Sequence, residues 1–346
     1  MSHSKASLTS RSKDAKSSVS LSSPDGFDWA RVGDELKARF SQAPIRLIPA
    51  TSAPTAGDLN REFPTAQRIF AVDFYVHGAE KGTLLSCNSG YQVEGRIFNI
   101  DHHAPDARWE RHVSSGVLAC QWVRERGIVD GYSGDVVVIN HTDCDSVLAA
   151  LILTGVLPPH ERFERAVVDA DHRGQPNDLA DLLQACSTTR DLSFLTESLS
   201  HFFRGDPLTG RAAHHLEQLH DKRLAVREIF QSGTHEERNG VVFLDSERYL
   251  DSDLFLPYFI HARVIVLGCP SEKYPGLHMT RLRLGAAVES GLSLHRLGVS
   301  DFDPYFGGRF NAGSNKRGLE SALASGKSPT VVSPKAHFER LTSLLA

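Results

Sequence analysis

Hydrophobic residues in the first half of the chain form short runs that alternate with segments of helical periodicity. The run at residues 136–139 is β-branched and uncharged, which is typical of a strand buried on both faces of a parallel sheet. Similar patterns predict further strands at residues 45–49, 68–73 and 96–100, and helices at residues 34–40, 114–126 and 146–153. Ser114 is expected to cap the second of these helices. Alternating strands and helices indicate an open α/β sheet.

A different pattern occupies the second half of the chain. Residues 178–236 are predicted to be mostly helical, and the segment 233–240 marks a boundary. Beyond it, the sequence predicts strands at residues 241–244, 263–267 and 278–284, a helix at 292–297 and a glycine-rich segment at 306–314. We therefore divide the chain into a disordered tail (1–26), a first α/β domain (27–190), a helical linker (191–236) and a smaller α/β domain (237–346).

The amino-acid composition supports this division and limits the classes of binding partner. A chain of 346 residues, 40% hydrophobic and 23% charged, is typical of a soluble protein with two domains. The formal net charge of −4 provides no basic surface for long duplex nucleic acid. The net charge does not exclude a small anionic substrate, because recognition of such a substrate depends on local charge.

Cysteine usage and hydropathy predict a location. The five cysteines include no C-x-x-C pair, so a reducing, cytoplasmic setting is expected. The longest apolar stretch, residues 147–157, is too short to span a bilayer, and no signal peptide is recognisable. The serine-rich first 26 residues are expected to be disordered, with a transit peptide as the alternative interpretation.

His141, Asp143 and Asp145 follow the predicted strand at 136–139 with alternate spacing. In an extended segment, alternate side chains point to one side, so these three groups are expected to share one site. Neighbouring buried carboxylates repel each other, and a divalent cation relieves that repulsion. Oxygen and imidazole ligands without thiolate suit Mn²⁺ or Mg²⁺, with Fe²⁺ or Co²⁺ as further candidates. The alternative is a solvated acidic turn in which Asp145 caps the next helix.

A second polar group, Asp101-His102-His103, follows the predicted strand at 96–100. Because neighbouring side chains diverge, one histidine is expected to bind metal while the other faces a substrate. Asp73 also stands at a strand end, where open α/β sheets bind ligands. A polar strand terminus without chemical function is the alternative interpretation.

These two segments, together with Gly307-Gly308-Arg309 and Ala312-Gly313-Ser314, resemble the DHH phosphoesterase superfamily over residues 40–330. The glycine-rich segment is similar to the DHHA1 substrate domain of RecJ-like nucleases, nanoRNases and nucleotide phosphatases. The resemblance implies a mainly parallel DHH-type domain and a smaller α/β DHHA1-type domain. The motif order differs, because Asp73 and the DHH triplet precede His141 here. This permutation leaves His77 and Glu80 as alternatives to Asp73.

The resemblance implies a two-metal site, with Mn²⁺ as the expected ion. One metal would take His141, Asp143 and Asp73, and the second would take Asp145, Asp73, His102 and an aspartate of the segment 168–172. We prefer Asp171 to Asp169, because Asp171 begins the polar break before Gly174. Asp101 would orient a histidine ring, and His103 would face the substrate phosphate.

In the second domain, substrate binding is expected at Gly307, Gly308, Arg309 and Asn311. The glycines permit close backbone approach, and Arg309, where the family often has histidine, can clamp a phosphate. An ordinary glycine-rich turn is the alternative. Arg281 and Arg283 alternate on a predicted strand and either add to the anion site or form a solvated face.

The sequence thus predicts a metal-dependent phosphoesterase that hydrolyses a small nucleotide or short oligonucleotide. A pyrophosphatase-like phosphoanhydride hydrolase shares such a metal site but has a different second domain. A nucleotide-binding regulator without turnover is a third hypothesis. It is disfavoured because every candidate metal ligand is present. The sequence gives no indication of oligomeric state.

Overall fold

The computed structural model describes residues 26–50, 54–85, 90–103, 113–208 and 210–346. Within these ranges the protein is an α/β structure with two six-stranded sheets, which confirms the predicted fold class. The serine-rich tail up to residue 25, with its two interpretations, lies outside the described residues.

The first sheet is built mainly from parallel strands. Its members are β1 (Ile45–Leu47), β2 (Ile69–Val72), β3 (Thr83–Leu84), β4 (Tyr91–Glu94), β5 (Ile97–Ile100) and β6 (Val136–Ile139). Their order in space is β1-β6-β2-β5-β4-β3, and β1, β6, β2 and β5 run parallel. Every residue of β2 and β6 is buried, as the uncharged runs predict for strands covered on both faces.

Helices cover both faces of this sheet. They are α1 (Trp29–Gln42), α2 (Ala56–Glu62), α3 (Ser115–Arg126), α4 (Cys144–Leu153), α5 (Glu161–Val168), α6 (Asp178–Cys186) and α7 (Leu192–Arg204). Because all ten residues of α4 are buried, that helix lies at the centre of the larger hydrophobic core. α7 packs on α1 through the stacked rings of Trp29 and Phe203.

A long helix, α8 (Gly210–Ser232), connects the two sheets. Ala212 near its start belongs to the core of the first sheet, whereas Ala225 and Val226 belong to a core of the second. The segment expected to be a helical linker therefore contributes side chains to both cores.

The second sheet is mostly antiparallel. It contains β7 (Glu236–Arg238), β8 (Val241–Asp245), β9 (Val264–Pro270), β10 (His278–Leu284), β11 (Gly307–Gly308) and β12 (Ala312–Ser314). The order is β11-β12-β10-β9-β8-β7, with β8 and β9 as its parallel pair. The accompanying helices are α9 (Val299–Phe302), α10 (Lys316–Ala324) and α11 (Pro334–Leu344). The glycine-rich segment forms the pair β11–β12.

The predicted helix at residues 292–297 is wrong. Residues 294–298 form turns, and the N–H of Leu294 donates to the main-chain oxygen of Phe310, which joins the segment to the neighbouring loop. The short helix α9 starts after Gly298, which adopts a left-handed conformation with φ of 63°. Among the described residues, no helix combines the length and hydrophobicity needed to cross a membrane.

Candidate metal centre

The carboxyl ends of three adjacent parallel strands carry the candidate ligands. Asp73 follows β2, Asp101 follows β5, and His141 lies two residues beyond β6. Because β2 lies between β6 and β5, the three strand ends adjoin. The order of strands in space therefore unites segments whose order along the chain is permuted.

Asp73 lies at the centre of the site. Its side chain is buried, and its backbone has a φ of 58°, in the left-handed region that aspartate tolerates better than most residues. The Oγ of Ser115 donates to Oδ1 of Asp73 at 2.8 Å. Of the two alternatives, His77 is exposed and Glu80 accepts the hydroxyl of Tyr75, so Asp73 is the group placed in the cluster.

Asn99 of β5 holds the turn that carries Asp73, a role that the sequence analysis missed. Its Nδ2 donates to the main-chain oxygens of Ala71 and Phe74, and its Oδ1 accepts the N–H of Val76 at 3.0 Å. A polar residue inside an otherwise apolar strand was the signal that could have revealed it.

One candidate cation position lies between Asp73, His141 and Asp143, whose ligand atoms fall within 4.8 Å of one another. Nε2 of His141 is 3.0 Å from Oδ2 of Asp73 and 3.3 Å from Oδ2 of Asp143. Burial opposes the charged form of His141, but Asp143 and Asp73 outweigh it and raise its pKa to about 11. Asp143 also caps α4, since its Oδ1 accepts the N–H of Ser146. The pair of acidic groups thus favours a positive charge at this position.

Asp145 does not cap the helix that contains it. Its two oxygens accept the N–H groups of Ser115 (2.8 Å) and Gly116 (2.7 Å) at the start of α3. Ser114 stands at the N-cap position of α3, as predicted, but its Oγ has no hydrogen-bond partner among the described residues, so the carboxylate of Asp145 supplies the cap. Burial raises the pKa of Asp145 well above its usual value, and the nearby charges of Asp73 and Asp171 raise it further.

Both histidines of the DHH triplet turn Nε2 toward the cluster. Nδ1 of His102 lies 2.8 Å from the main-chain oxygen of Val113, and Nδ1 of His103 lies 2.5 Å from Oδ1 of Asp101. These partners assign the N–H to Nδ1 in each neutral ring and leave the lone pair on Nε2. The expected divergence of the two side chains is therefore not observed, because both rings face one region.

Nε2 of His102 faces three carboxylates. It lies 3.1 Å from Oδ2 of Asp171, 3.5 Å from Oδ1 of Asp73 and 3.6 Å from Oδ2 of Asp145. Asp171 belongs to a π-helical turn, Asp169–Arg173. Asp169 of the same turn accepts a hydrogen bond from Asn177 instead. The turn thus places Asp171 in the cluster and directs Asp169 elsewhere.

His172, which the sequence analysis did not assign, also adjoins the cluster. Its Nε2 lies 2.8 Å from the main-chain oxygen of Val113, the group that also holds His102. Burial lowers the pKa of His172 to about 3, which favours a neutral ring despite the nearby charge of Asp171. A histidine directly after a candidate aspartate ligand was the available signal.

Arg309 reaches from the second sheet into this cluster. Its Nη1 lies 2.9 Å from Nε2 of His103, 3.2 Å from Nε2 of His102 and 3.2 Å from Oδ2 of Asp171. Its Nη2 lies 2.5 Å from Oδ1 of Asp171. Burial opposes the charge of Asp171, but Arg309 and His102 outweigh it and hold the pKa of Asp171 below its usual range.

The other predicted groups of the second domain lie around Arg309. Gly308 is required where it stands, because a Cβ there would lie 2.3 Å from the main-chain oxygen of Ala312. Asn311 is buried, and its Oδ1 has no hydrogen-bond partner in the described part of the chain. Arg283 donates to the main-chain oxygen of Asp171, whereas Arg281 pairs with Asp251 at 2.9 Å, apart from the cluster.

The donor set fits hard divalent cations. Within the described ranges, three overlapping groups could share a cation: Asp73 with His102 and His103, Asp73 with His141 and Asp143, and Asp171 with His102 and His172. Asp145 is in none of these groups but adjoins them, with its Oδ2 3.6 Å from Nε2 of His102. Carboxylate oxygens and imidazole nitrogens without thiolate suit Mn²⁺ and Mg²⁺. The tautomers of His102 and His103 direct lone pairs to the interior of the cluster, as metal ligation requires.

No family model and no curated protein sequence matches the chain. Among solved structures, the pGpG-specific phosphodiesterase PggH from Vibrio cholerae is 13% identical, with a TM-score of 0.37, over 61% of this chain and 95% of that chain. Exonuclease RecJ bound to manganese is 10% identical, with a TM-score of 0.36, over 91% of this chain and 98% of that chain.

Proposed function

We propose that this protein is a DHH/DHHA1-type phosphoesterase that uses divalent cations to hydrolyse a phosphate ester of a small nucleotide or short oligonucleotide. The observation that carries this proposal is the convergence of Asp73, His141, Asp143, His102 and Asp171 at one sheet edge, beside an arginine of the second domain. Such a cluster combines cation ligands with a group that binds phosphate. A cytoplasmic location remains a prediction.

Two cation positions are proposed. Asp73, His141 and Asp143 would hold one ion, and Asp171, His102, Asp145 and Asp73 would hold the second. Mn²⁺ is the expected ion, with Mg²⁺, Co²⁺ or Fe²⁺ as alternatives. When bound, the cations supply Lewis acidity for the phosphoryl group and for its attacking water.

His103 and Asp101 are proposed to move a proton. Asp101 is buried and accepts from Nδ1 of His103, so its carboxylate fixes the orientation of the ring and directs Nε2 to the cluster. A protonated His103 would present its Nε2–H to a phosphoryl oxygen or to the leaving oxygen. Its side chain keeps 20% of its surface exposed, compared with 2% for His102, so a substrate can reach it.

The second domain is proposed to hold the rest of the substrate. Arg309 lies at the edge of the cluster, where its guanidinium can bind an anionic group in two-point fashion. A Cβ atom added at Gly307 would have no other atom within 4 Å, so the chain there leaves space for a ligand. A nucleotide carries both a phosphate for the cations and Arg309 and a further group for the second domain.

The test is hydrolysis by the full chain after exhaustive chelation and addition of Mn²⁺. The substrates are a dinucleotide, a nucleoside monophosphate, nitrophenyl phosphate, its bis-ester and pyrophosphate. Asp73→Asn should reduce turnover about a hundredfold or more, because it removes the charge of a shared ligand. Asp169→Asn is the matched control, since its side chain points away from the cluster and retains an acceptor for Asn177.

Three outcomes separate the candidate functions. Cleavage of nucleotide esters by the wild type, lost in Asp73→Asn and kept in Asp169→Asn, supports a phosphoesterase. Cleavage of pyrophosphate alone would establish the phosphoanhydride hydrolase instead. Nucleotide binding without any turnover under all metals would indicate the regulator.

A further inference from the structure

The guanidinium of Arg309 lies where ligand atoms of a cation would converge. It faces both oxygens of Asp171 and the Nε2 atoms of His102 and His103, all within 3.2 Å. The Nδ1 partners of the two rings leave lone pairs on these Nε2 atoms. The lone pair on Nε2 of His102 and the carboxylate of Asp171 are groups that a divalent cation binds, and here a guanidinium binds them.

The candidate cation position between Asp73, His141 and Asp143 differs in its contacts with Arg309. Among the described residues, no hydrogen bond joins Arg309 to Asp73, His141 or Asp143. A cation can therefore bind those three groups while Arg309 remains in place. Near Asp171, by contrast, the single lone pair on Nε2 of His102 cannot serve guanidinium and cation together, and the guanidinium fills the space between that nitrogen and both oxygens of Asp171.

We propose that Arg309 and the second divalent cation are alternative occupants of the position between Asp171 and His102. This inference rests on the proposed function, because it concerns the same cation site. The first cation binds at Asp73, His141 and Asp143 without rearrangement. The second binds only when Arg309 withdraws from Asp171.

This exchange links the cation to the substrate. A withdrawn Arg309 presents its guanidinium to an anionic group, since its bonds to Asp171 are broken. Binding of a phosphate by Arg309 and binding of the second cation each require the same release, so each favours the other. Arg309 thereby keeps the second position closed to a divalent cation until substrate arrives.

The test is a Mn²⁺ titration of the full chain without substrate, followed by calorimetry and by the electron paramagnetic resonance of free Mn²⁺. The wild type should show one tight and one weak site. Arg309→Gln should tighten the weak site about tenfold to a hundredfold, because charge-assisted bonds that compete with the cation are removed. The tight site should change less, because Arg309 acts on Asp73 and Asp143 through charge and, among the described residues, makes no hydrogen bond to either.

Two further variants make the result specific. Arg309→Lys keeps the charge but loses the two-point contact, so its second site should lie between those of the wild type and Arg309→Gln. Arg263→Gln is the control, because Arg263 pairs with Glu289 in the second domain, and this variant should bind Mn²⁺ as the wild type does. Thermal melting in chelator verifies that each variant is folded.

Equal affinities of both sites in the wild type, unchanged in Arg309→Gln, would overturn the competition but leave the phosphoesterase proposal intact. A weaker second site in Arg309→Gln would also overturn it, since Arg309 would then assist the cation. Absence of Mn²⁺ binding in every variant would remove the proposed function as well.

Discussion

Oδ1 of Asp145 accepts the main-chain N–H of Gly116 at 2.7 Å, so a candidate metal ligand also closes the N-terminus of α3. The carboxylate is thereby fixed in orientation, with its second oxygen held by Ser115 and facing His102. One side chain connects the helix that follows the DHH triplet to the helix that follows β6. This connection makes Asp145 the most informative residue for mutation.

Asp145→Asn should abolish most turnover while the fold is kept. The amide retains one oxygen for an N–H of α3, and burial already disfavours the charge that it replaces, as the raised pKa of Asp145 indicates. We expect the free energy of unfolding in chelator to fall by about 1–3 kcal/mol, because the amide NH2 cannot accept the second N–H, and turnover to fall about a hundredfold or more. Urea unfolding and the hydrolysis assay measure the two effects. Full turnover would remove Asp145 from the ligand set.

Divalent cations should be required for activity and should stabilise the fold, because they relieve repulsion among Asp73, Asp143, Asp145 and Asp171. At a hundredfold excess over the dissociation constant, the stabilisation should approach about 2.7 kcal/mol. Thermal melting with and without Mn²⁺ measures it, and Asp73→Asn should show a smaller shift. Mn²⁺ should restore activity best after chelation. Full activity after exhaustive chelation and dialysis would disprove the requirement.

Mutation of the two histidines of the triplet should affect the bound metal differently. His102→Ala should lose cation affinity, because its Nε2 faces three carboxylates. His103→Ala should lower the turnover number with cation content unchanged, since its proposed role is toward substrate. Elemental analysis of dialysed protein, together with kinetics, tests the pair. If His103→Ala loses metal and His102→Ala keeps it, the two roles are reversed.

Gly308 and Gly307 form a matched pair of sites. A Cβ at Gly308 would lie 2.3 Å from Ala312 O and Gly313 Cα, so Gly308→Ala must displace β11 from β12. We expect a loss of about 1–3 kcal/mol in unfolding free energy and lower turnover of nucleotides, because this pairing positions Arg309. Gly307→Ala meets open space and should stay within about 0.5 kcal/mol. Equal effects of the two variants would show that the hairpin geometry does not matter.

Asp303 should make the second domain sensitive to acid. Burial opposes its charge, but hydrogen bonds from His337, Tyr305 and Asn315 outweigh it and hold the pKa of Asp303 below its usual value. This stabilisation is fully present above the unfolded pKa of about 3.9 and is lost as pH falls through the folded pKa.

Asp303→Asn should lower the free energy of unfolding by about 1–3 kcal/mol at pH 7, with a smaller difference from the wild type at pH 3. Urea unfolding at both pH values tests this expectation. A difference that stays constant between them would mean that the charge of Asp303 contributes nothing to stability.

The sequence by itself determined the fold class and the chemistry of the candidate site. Uncharged β-branched runs such as residues 136–139 identify buried parallel strands. A strand covered on both faces is apolar at every position, whereas a strand with one solvent-exposed face alternates apolar and polar residues. Acidic and imidazole groups at the ends of such strands predict a cation site at one sheet edge. Both inferences depend on local spacing, which a sequence displays directly.

The tertiary structure alone decided which remote groups meet. The strand order β6-β2-β5 brought His141, Asp73 and Asp101 together despite their permuted order. A π-helical turn places Asp171, rather than Asp169, in the cluster. The packing of the second sheet against the first brings Arg309 into contact with Asp171. The physical reason is that hydrophobic periodicity specifies which face of an element is buried but not which neighbour covers it. Contacts between residues 138 positions apart, such as Asp171 and Arg309, are set by that choice of neighbour.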